Sequence, residues 1–333
     1  MKKSPNYKVE VLTGIRPTAD LTIANYLGAI APIVELQKKM STIVFVADLH
    51  AITDKEPKNI KENIYKVVAD YIALGIDSKK TKIYLQSDIG SEILTLTAFF
   101  SRLVSVAELL RVPTLKDKIK KNKEPETASA LLLLYPVMMA ADILINKAKY
   151  VPVGEDQLPH IEMTRLIARR FNKKYKEVFP IPQALQVESV RILSLKGEGK
   201  MSKTNPSGAI FLTDDKKTVV NKIKSAETAF EGLVNEKLKS LILIGKGLAK
   251  TKSDQEEIDF IIEEHKKGKR VMKEFKEILI KIVQNFLDEF QSRRREIIKD
   301  PYYISSVLNE GAKIAKRNSS DTLDEVLKAM EFS

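Results

Sequence analysis

Cysteine is absent from the chain. That excludes disulfides, thiolate zinc sites, thiolate-held iron–sulfur clusters and a cysteine nucleophile. It fits a reducing compartment without demonstrating one. Histidine is scarce, and His50, His160 and His265 are too scattered for a histidine-based metal site. No protein-held metal or redox cofactor is therefore expected. Long apolar runs are missing as well. The longest uncharged stretch, Ala128 to Ala141, is broken by Pro136 and ended by Asp142. A membrane span needs ~20 apolar residues, so this stretch reads as a buried core segment. The basic start, Met1 to Lys8, leads into no apolar stretch of signal-peptide length. A soluble cytoplasmic protein without a membrane partner is expected.

Acidic charge is in the minority. Lys and Arg total 56 against 44 Asp and Glu, a formal net charge of +12 with a pI near 9.4. A basic surplus favours polyanionic partners, because each neutralised phosphate releases counterions; many Lys-rich enzymes without a nucleic-acid partner share it. With 44% hydrophobic and 30% charged residues among 333, the chain can bury a sizeable core in one large and one smaller domain, or in two comparable ones.

The first half alternates in type. Strands are expected at Val9 to Thr13, Ile43 to Asp48, Ile83 to Gln86 and Tyr150 to Val153. Helices are expected at Asn25 to Lys39, Lys61 to Ile76, Ser91 to Leu103 (with Ser91 as N-cap) and Gln157 to Phe171. This alternation implies an α/β, doubly wound parallel sheet with helices on both faces. From about Asp214 strand signals vanish. Lys216 to Ser225, Asn235 to Leu248, Asp254 to Lys267, Arg270 to Ile298, Tyr302 to Arg317 and Thr322 to Met330 read as helices. The expected division is a Rossmann-like domain over 1–195 and an α-helical C-terminal domain over 196–302, with 303–333 packing back on the first.

Four segments carry chemistry. Thr13-Gly14-Ile15-Arg16-Pro17-Thr18, followed by Leu21 to Ala29, places a strand end, a loop and a helix start near Ala24 in sequence. A helix start presents unpaired N–H groups that suit a triphosphate, and Asn25 adds a polar side chain there. The same string also reads as an ordinary crossover. Gly199-Lys200-Met201-Ser202-Lys203-Thr204 is a polar loop with two lysines, able to meet charge building on departing pyrophosphate, or simply a solvated turn. Val151-Pro152-Val153-Gly154-Glu155-Asp156-Gln157 lies at a strand end before a helix, the ligand-binding edge of doubly wound folds. Its carboxylate could take ribose hydroxyls, and Asp156 is also expected to cap the helix. In Tyr135 to Leu144, Asp142 sits in an apolar helix. Such an acid needs a partner, and an indole N–H, a donor only, suits it. Met139 is a soft neighbour for an aromatic ring. A satisfied core acid among core methionines is the alternative.

Together these segments resemble the class I aminoacyl-tRNA synthetases of the tryptophan/tyrosine pair. Thr22-Ile23-Ala24-Asn25 stands at the place of their HIGH signature, and Lys200 to Thr204 matches KMSKS. Val46 to Thr53, Met139 to Leu144 and Val151 to Gln157 look like signatures of the tryptophan enzymes within that family. The similarity spans essentially the whole chain and is dense from Val11 to about Pro206.

The resemblance implies L-tryptophan, ATP with Mg²⁺, and tRNA(Trp) as ligands, and a homodimer whose helical half binds the anticodon. Asp142 would accept the indole N–H, with Met139, Val151 and Val153 lining the ring and His50 nearby. Tyr135 and Gln157 would hold the α-amino group. Arg16, Thr22, Ala24, Asn25, Gly154 and Asp156 would contact ATP. Lys118, in a basic loop Lys116 to Lys123, would grip phosphates, and Lys200, Met201, Ser202 and Lys203 would close over the pyrophosphate end. Arg293, Arg294 and Arg295 are candidate tRNA phosphate contacts. The sequence departs from the family at Ala24, where Gly is usual, and at Thr204-Asn205, where Ser-Asp is common. A tyrosine enzyme, a non-catalytic paralogue and another nucleotidyltransferase of the same fold are the competing readings.

Overall fold

Among the described residues, five short strands, β1 (Val9–Ile15), β2 (Thr42–Val46), β3 (Thr81–Leu85), β4 (Ala148–Val153) and β5 (Gln183–Gln186), pair in parallel in the order β3-β2-β1-β4-β5. This computed structural model describes residues 6–17, 20–53, 58–121, 128–186 and 192–332. Every residue of the inner strand β2, between β3 and β1, is buried, as expected when helices cover both faces. Its side chains alternate between two cores. Val44 and Val46 join one apolar cluster, Ile43 and Phe45 the other.

The helices are α1 (Ile23–Asn25), α2 (Ala31–Leu36), α3 (Asp48–Ala51), α4 (Ile60–Ala73), α5 (Gly90–Ser101), α6 (Val106–Leu109), α7 (Pro113–Lys121), α8 (Ala130–Ile145) and α9 (Leu158–Lys174). Beyond them come α10 (Lys216–Lys224), α11 (Glu236–Leu248), α12 (Lys252–Lys266), α13 (Met272–Ile298) and α14 (Pro301–Ala329). The Val44 face continues without a break into the helical half, where Ile278, Val283 and Phe286 of α13 belong to the same cluster. Arg294 of α13 pairs with the buried Asp70 of α4, so that arginine fastens α13 to the sheet-covering layer. The opposite face is filled from α5, α8 and α9.

Several local expectations are corrected. The helix after the first motif is not uniform. A π-helical turn, Tyr26–Ile30, separates α1 from α2. Pro32 in the first turn of α2 has no N–H and would press its ring on the carbonyl four residues back, which a wider turn relieves. Ser91 does not cap α5: Ile89 holds the N-cap position because a 3₁₀ turn, Gln86–Ile89, runs straight into the helix. Lys118 lies on helix α7, not in a loop. Leu115 and Ile119 put an apolar stripe on the core side of this lysine-rich segment. Residues 122–123 of that segment and Thr18 of the first motif fall outside the described residues.

The last two expected helices are one. Ser319 and Thr322 return their hydroxyls to Lys316 and Asn318 carbonyls inside α14, so polar residues that read as a break are satisfied within the helix. α14 packs on β3, where a methyl at Gly311 would overlap the Ile83 carbonyl. No helix among the described residues is long and apolar enough to cross a membrane.

Candidate active site

β1 and β4 are neighbours in the sheet, but the chain leaves β1 toward β2 and reaches β4 from the other side. A crevice opens at the carboxyl ends of two such strands. A cavity of about 320 Å³ lies there, bordered by Thr13 and Gly14 of β1, by Val151 and Val153 of β4, and by Phe45. A methyl at Gly14 would stand 2.5 Å from the Phe45 ring. The missing side chain is what lets that ring form the wall.

α8 supplies the floor. Tyr135, Met139 and Asp142 line the cavity, four and then three residues apart on one helix face. Asp142 is fully buried. Its Oδ1 accepts from Gln86 Nε2 at 2.8 Å, and its Oδ2 accepts from the same nitrogen at 3.0 Å and from His50 Nε2 at 2.9 Å. A carboxylate only accepts, so His50 Nε2 carries the proton. Burial pushes the Asp142 pKa up, and the His50 and Gln86 donors pull the other way by favouring the ionised form. Of about four acceptor positions on a carboxylate, one on Oδ1 is left for a ligand N–H.

At the other end of α8, the Tyr135 hydroxyl lies 2.8 Å from Thr114 Oγ1 and 3.3 Å from His160 Nε2, and the latter two atoms are 2.7 Å apart. Burial, aided by the Lys118 charge, lowers the His160 pKa to about 4, so its ring is neutral at neutral pH. The Lys118 ammonium stands 4.4 Å from the centroid of the Tyr135 ring.

All seven residues expected to contact tryptophan line this cavity: His50, Tyr135, Met139, Asp142, Val151, Val153 and Gln157. Arg16 and Gly154 from the nucleotide set line it too. Thr22, Ala24, Asn25 and Asp156 are not among its lining residues. Thr22 and Asn25 instead close a capping box over α1, with Thr22 N donating to Asn25 Oδ1 at 2.9 Å and Asn25 N to Thr22 Oγ1 at 3.3 Å. Asp156 does not cap α9. It sits inside a single 3₁₀ turn, Glu155–Gln157, and accepts from Gln157 Nε2 at 2.8 Å, while Gln157 holds the N-cap position and Pro159, in the first turn of α9, has no N–H to cap.

The second motif is a hairpin-like loop. Met201 N donates to Ile192 O at 2.9 Å, and positive φ at Gly197 and Gly199 turns the chain between them. Met201 is buried in the core, which anchors the loop, while Lys200 is exposed and Ser202 and Lys203 are partly buried. The segment after it binds the first motif directly: Ile23 N donates to Ile210 O at 3.0 Å and Leu212 N to Leu21 O at 2.8 Å. Two segments nearly 190 residues apart in sequence are thus side by side. Burial lowers the Lys203 pKa from its ordinary value, against the pull of Asp20 and Asp70.

Reading the sequence alone missed Gln86, Thr114 and His160. His160 follows Gln157 by three residues, a helical step that puts it beside Tyr135. Gln86 stands just past the carboxyl end of β3, the edge at which such sheets bind ligands. Thr114 gave no signal.

A family model for tRNA synthetases class I (W and Y) matches residues 3–293. The chain belongs to that family. It is 38% identical to the tryptophan–tRNA ligase of Halalkalibacterium halodurans, covering 97% of this chain and 98% of the relative. It is 35% identical to that of Chlamydia caviae, covering 98% and 97%. Among solved structures, the tryptophanyl-tRNA synthetase of Campylobacter jejuni complexed with ADP and tryptophan superposes with a TM-score of 0.82 at 31% identity, covering 97% and 99%. That of Mycoplasma pneumoniae gives 0.85 at 31%, covering 97% and 98%. As a class I synthetase, the chain has the Rossmann-like sheet and helical C-terminal region of its family.

Proposed function

We propose that this chain is a tryptophan–tRNA ligase. It activates L-tryptophan with ATP and passes the tryptophanyl group to the 3′ end of tRNA(Trp), releasing AMP and pyrophosphate. The observation that carries this reading is Asp142, a fully buried acid at the floor of an apolar cavity with one acceptor position left over. A site built around one polar group rejects ligands lacking it by roughly 10⁴. Phenylalanine would leave the acid unanswered.

The tryptophan carboxylate attacks the α-phosphorus of ATP, the bond to the bridging oxygen breaks, and pyrophosphate leaves with that electron pair. A ribose hydroxyl of the tRNA then attacks the acyl carbon, the bond from that carbon to the phosphate oxygen breaks, and AMP departs with the electron pair while the hydroxyl proton passes to the phosphate. No covalent enzyme intermediate is required, so the protein works by position and charge. Tyr135 and Gln157 hold the α-ammonium group, Arg16, Gly154 and Asp156 hold the nucleotide with the first motif, and Lys118, Lys200 and Lys203 meet the charge on the leaving pyrophosphate. Mg²⁺ arrives with ATP on phosphate oxygens and water. We also propose a cytoplasmic homodimer, with the apolar side chains that α5 and α6 leave exposed, Leu94 and Val106, at or near its interface.

The test is ATP–pyrophosphate exchange with each amino acid supplied singly. Exchange with tryptophan alone is expected. Exchange with tyrosine would overturn the role of Asp142, and exchange with none would overturn catalysis itself.

A further inference from the structure

We propose that Gln86 is the positioning residue that aims Asp142, and that it thereby sets the preference of the site for a ligand carrying a ring N–H. This rests on the reading of Asp142 as the indole acceptor. Gln86 is fully buried and both ends of its amide are committed. Its Oε1 accepts from His50 N at 3.1 Å, while its Nε2 donates to both oxygens of Asp142. A flipped amide would set oxygen against carboxylate and N–H against N–H, so the orientation is fixed.

The backbone beneath it is pinned too. Ser87 N donates to Asp48 Oδ1 at 3.0 Å, and Leu85 N donates to Asp88 Oδ2 at 2.9 Å. One side chain thus holds both cavity-lining groups at this end of the pocket: His50 through its main chain and Asp142 through its carboxylate. The consequence is asymmetry in the acid. Oδ2 has two donors and Oδ1 one, so the remaining lone pair lies on a named oxygen of a carboxylate that cannot rotate. A ligand without an N–H leaves that buried lone pair unanswered.

The experiment compares L-tryptophan with its benzothiophene analogue, in which sulfur replaces the indole N–H, in ATP–pyrophosphate exchange. Wild type is expected to prefer tryptophan by roughly 10⁴ in kcat/KM. Gln86→Met keeps the length and loses both hydrogen-bonding ends. It is expected to cut that preference by about 10- to 100-fold, through tryptophan alone, with the analogue changing by less than about threefold. Gln86→Glu supplies a second variant with an internal control. Two facing carboxylates disfavour ionising together, and burial lifts the loss of their shared proton into an alkaline range above the ordinary carboxylate one. The protonated carboxyl introduced there donates as the amide does. Its tryptophan preference should therefore fall as pH rises through that range, while the preference of wild type stays level.

An unchanged preference in Gln86→Met, an equal loss for both substrates, or a pH-independent preference in Gln86→Glu would each overturn the proposal. A wild type that does not discriminate the analogue would overturn the role of Asp142 itself, a separate result from failure at Gln86.

Discussion

The Lys118 ammonium sits over the ring of Tyr135, 4.4 Å from its centroid. In the proposed reaction one side chain serves the phosphates and the other the α-ammonium group, so this contact joins the two substrate ends through α7 and α8. Lys118→Met should therefore lower kcat for tryptophan-dependent pyrophosphate exchange by roughly 10²–10³-fold. Because the contact is shared, Lys118→Met and Tyr135→Leu should be non-additive in a double-mutant cycle. Simple additivity would show that the two side chains act independently.

His160 makes stability sensitive to acid. Burial lowers its folded-state pKa to about 4, whereas an unfolded histidine titrates near 6.5. Between those values the unfolded chain binds more protons than the folded one. Stability from this group is therefore full above about pH 6.5 and is lost as pH falls toward 4, by up to about 3 kcal/mol. Asp142, with its raised pKa, acts in the opposite sense, so the comparison must be between proteins. Urea unfolding at pH 6.5 and 4.5 should show a smaller acid loss in His160→Gln than in wild type. An equal loss in both would assign the acid sensitivity to other groups.

The sheet and the outline of the site were legible because both are written in local pattern. Buried strands such as Ile43 to Phe45 are apolar throughout, and Tyr135, Met139 and Asp142 share a helix face by spacing alone. What escaped is what needs the third dimension. β5 reads Gln-Ala-Leu-Gln, too polar and short to announce a strand, and becomes one by pairing with β4. Gln86 is an unremarkable polar residue until the fold sets it against Asp142. The helical half hid its continuity with the sheet, because an apolar stripe says which residues are buried and not what they are buried against.

The signature lysines should separate binding from chemistry. Lys200 is exposed on its loop while Lys203 is partly buried and has its pKa lowered from the ordinary value. Neither residue lines the cavity at the ends of β1 and β4. If both act on the departing pyrophosphate, Lys200→Ala and Lys203→Ala should each cost roughly 10²-fold or more in kcat while KM for tryptophan changes little. Steady-state exchange kinetics read both quantities. A rise in KM for tryptophan with kcat intact would place these lysines in ground-state binding instead.

Ala24 tests what the departure from the family motif costs. It lies in α1 one residue after Ile23, whose N–H is committed to Ile210 O, and its side chain packs partly buried against the core. Glycine there would remove one methyl from a position proposed to contact ATP, but would also give up helix propensity and burial worth about 1 kcal/mol. Ala24→Gly should therefore lower KM for ATP a few-fold and lower Tm by about 2–4 °C. Exchange kinetics at varied ATP and thermal unfolding measure the two effects separately. A fall in Tm without a change in KM would mean that the Ala24 methyl meets only the core, and that nucleotide contact at this motif runs through Thr22 and Asn25.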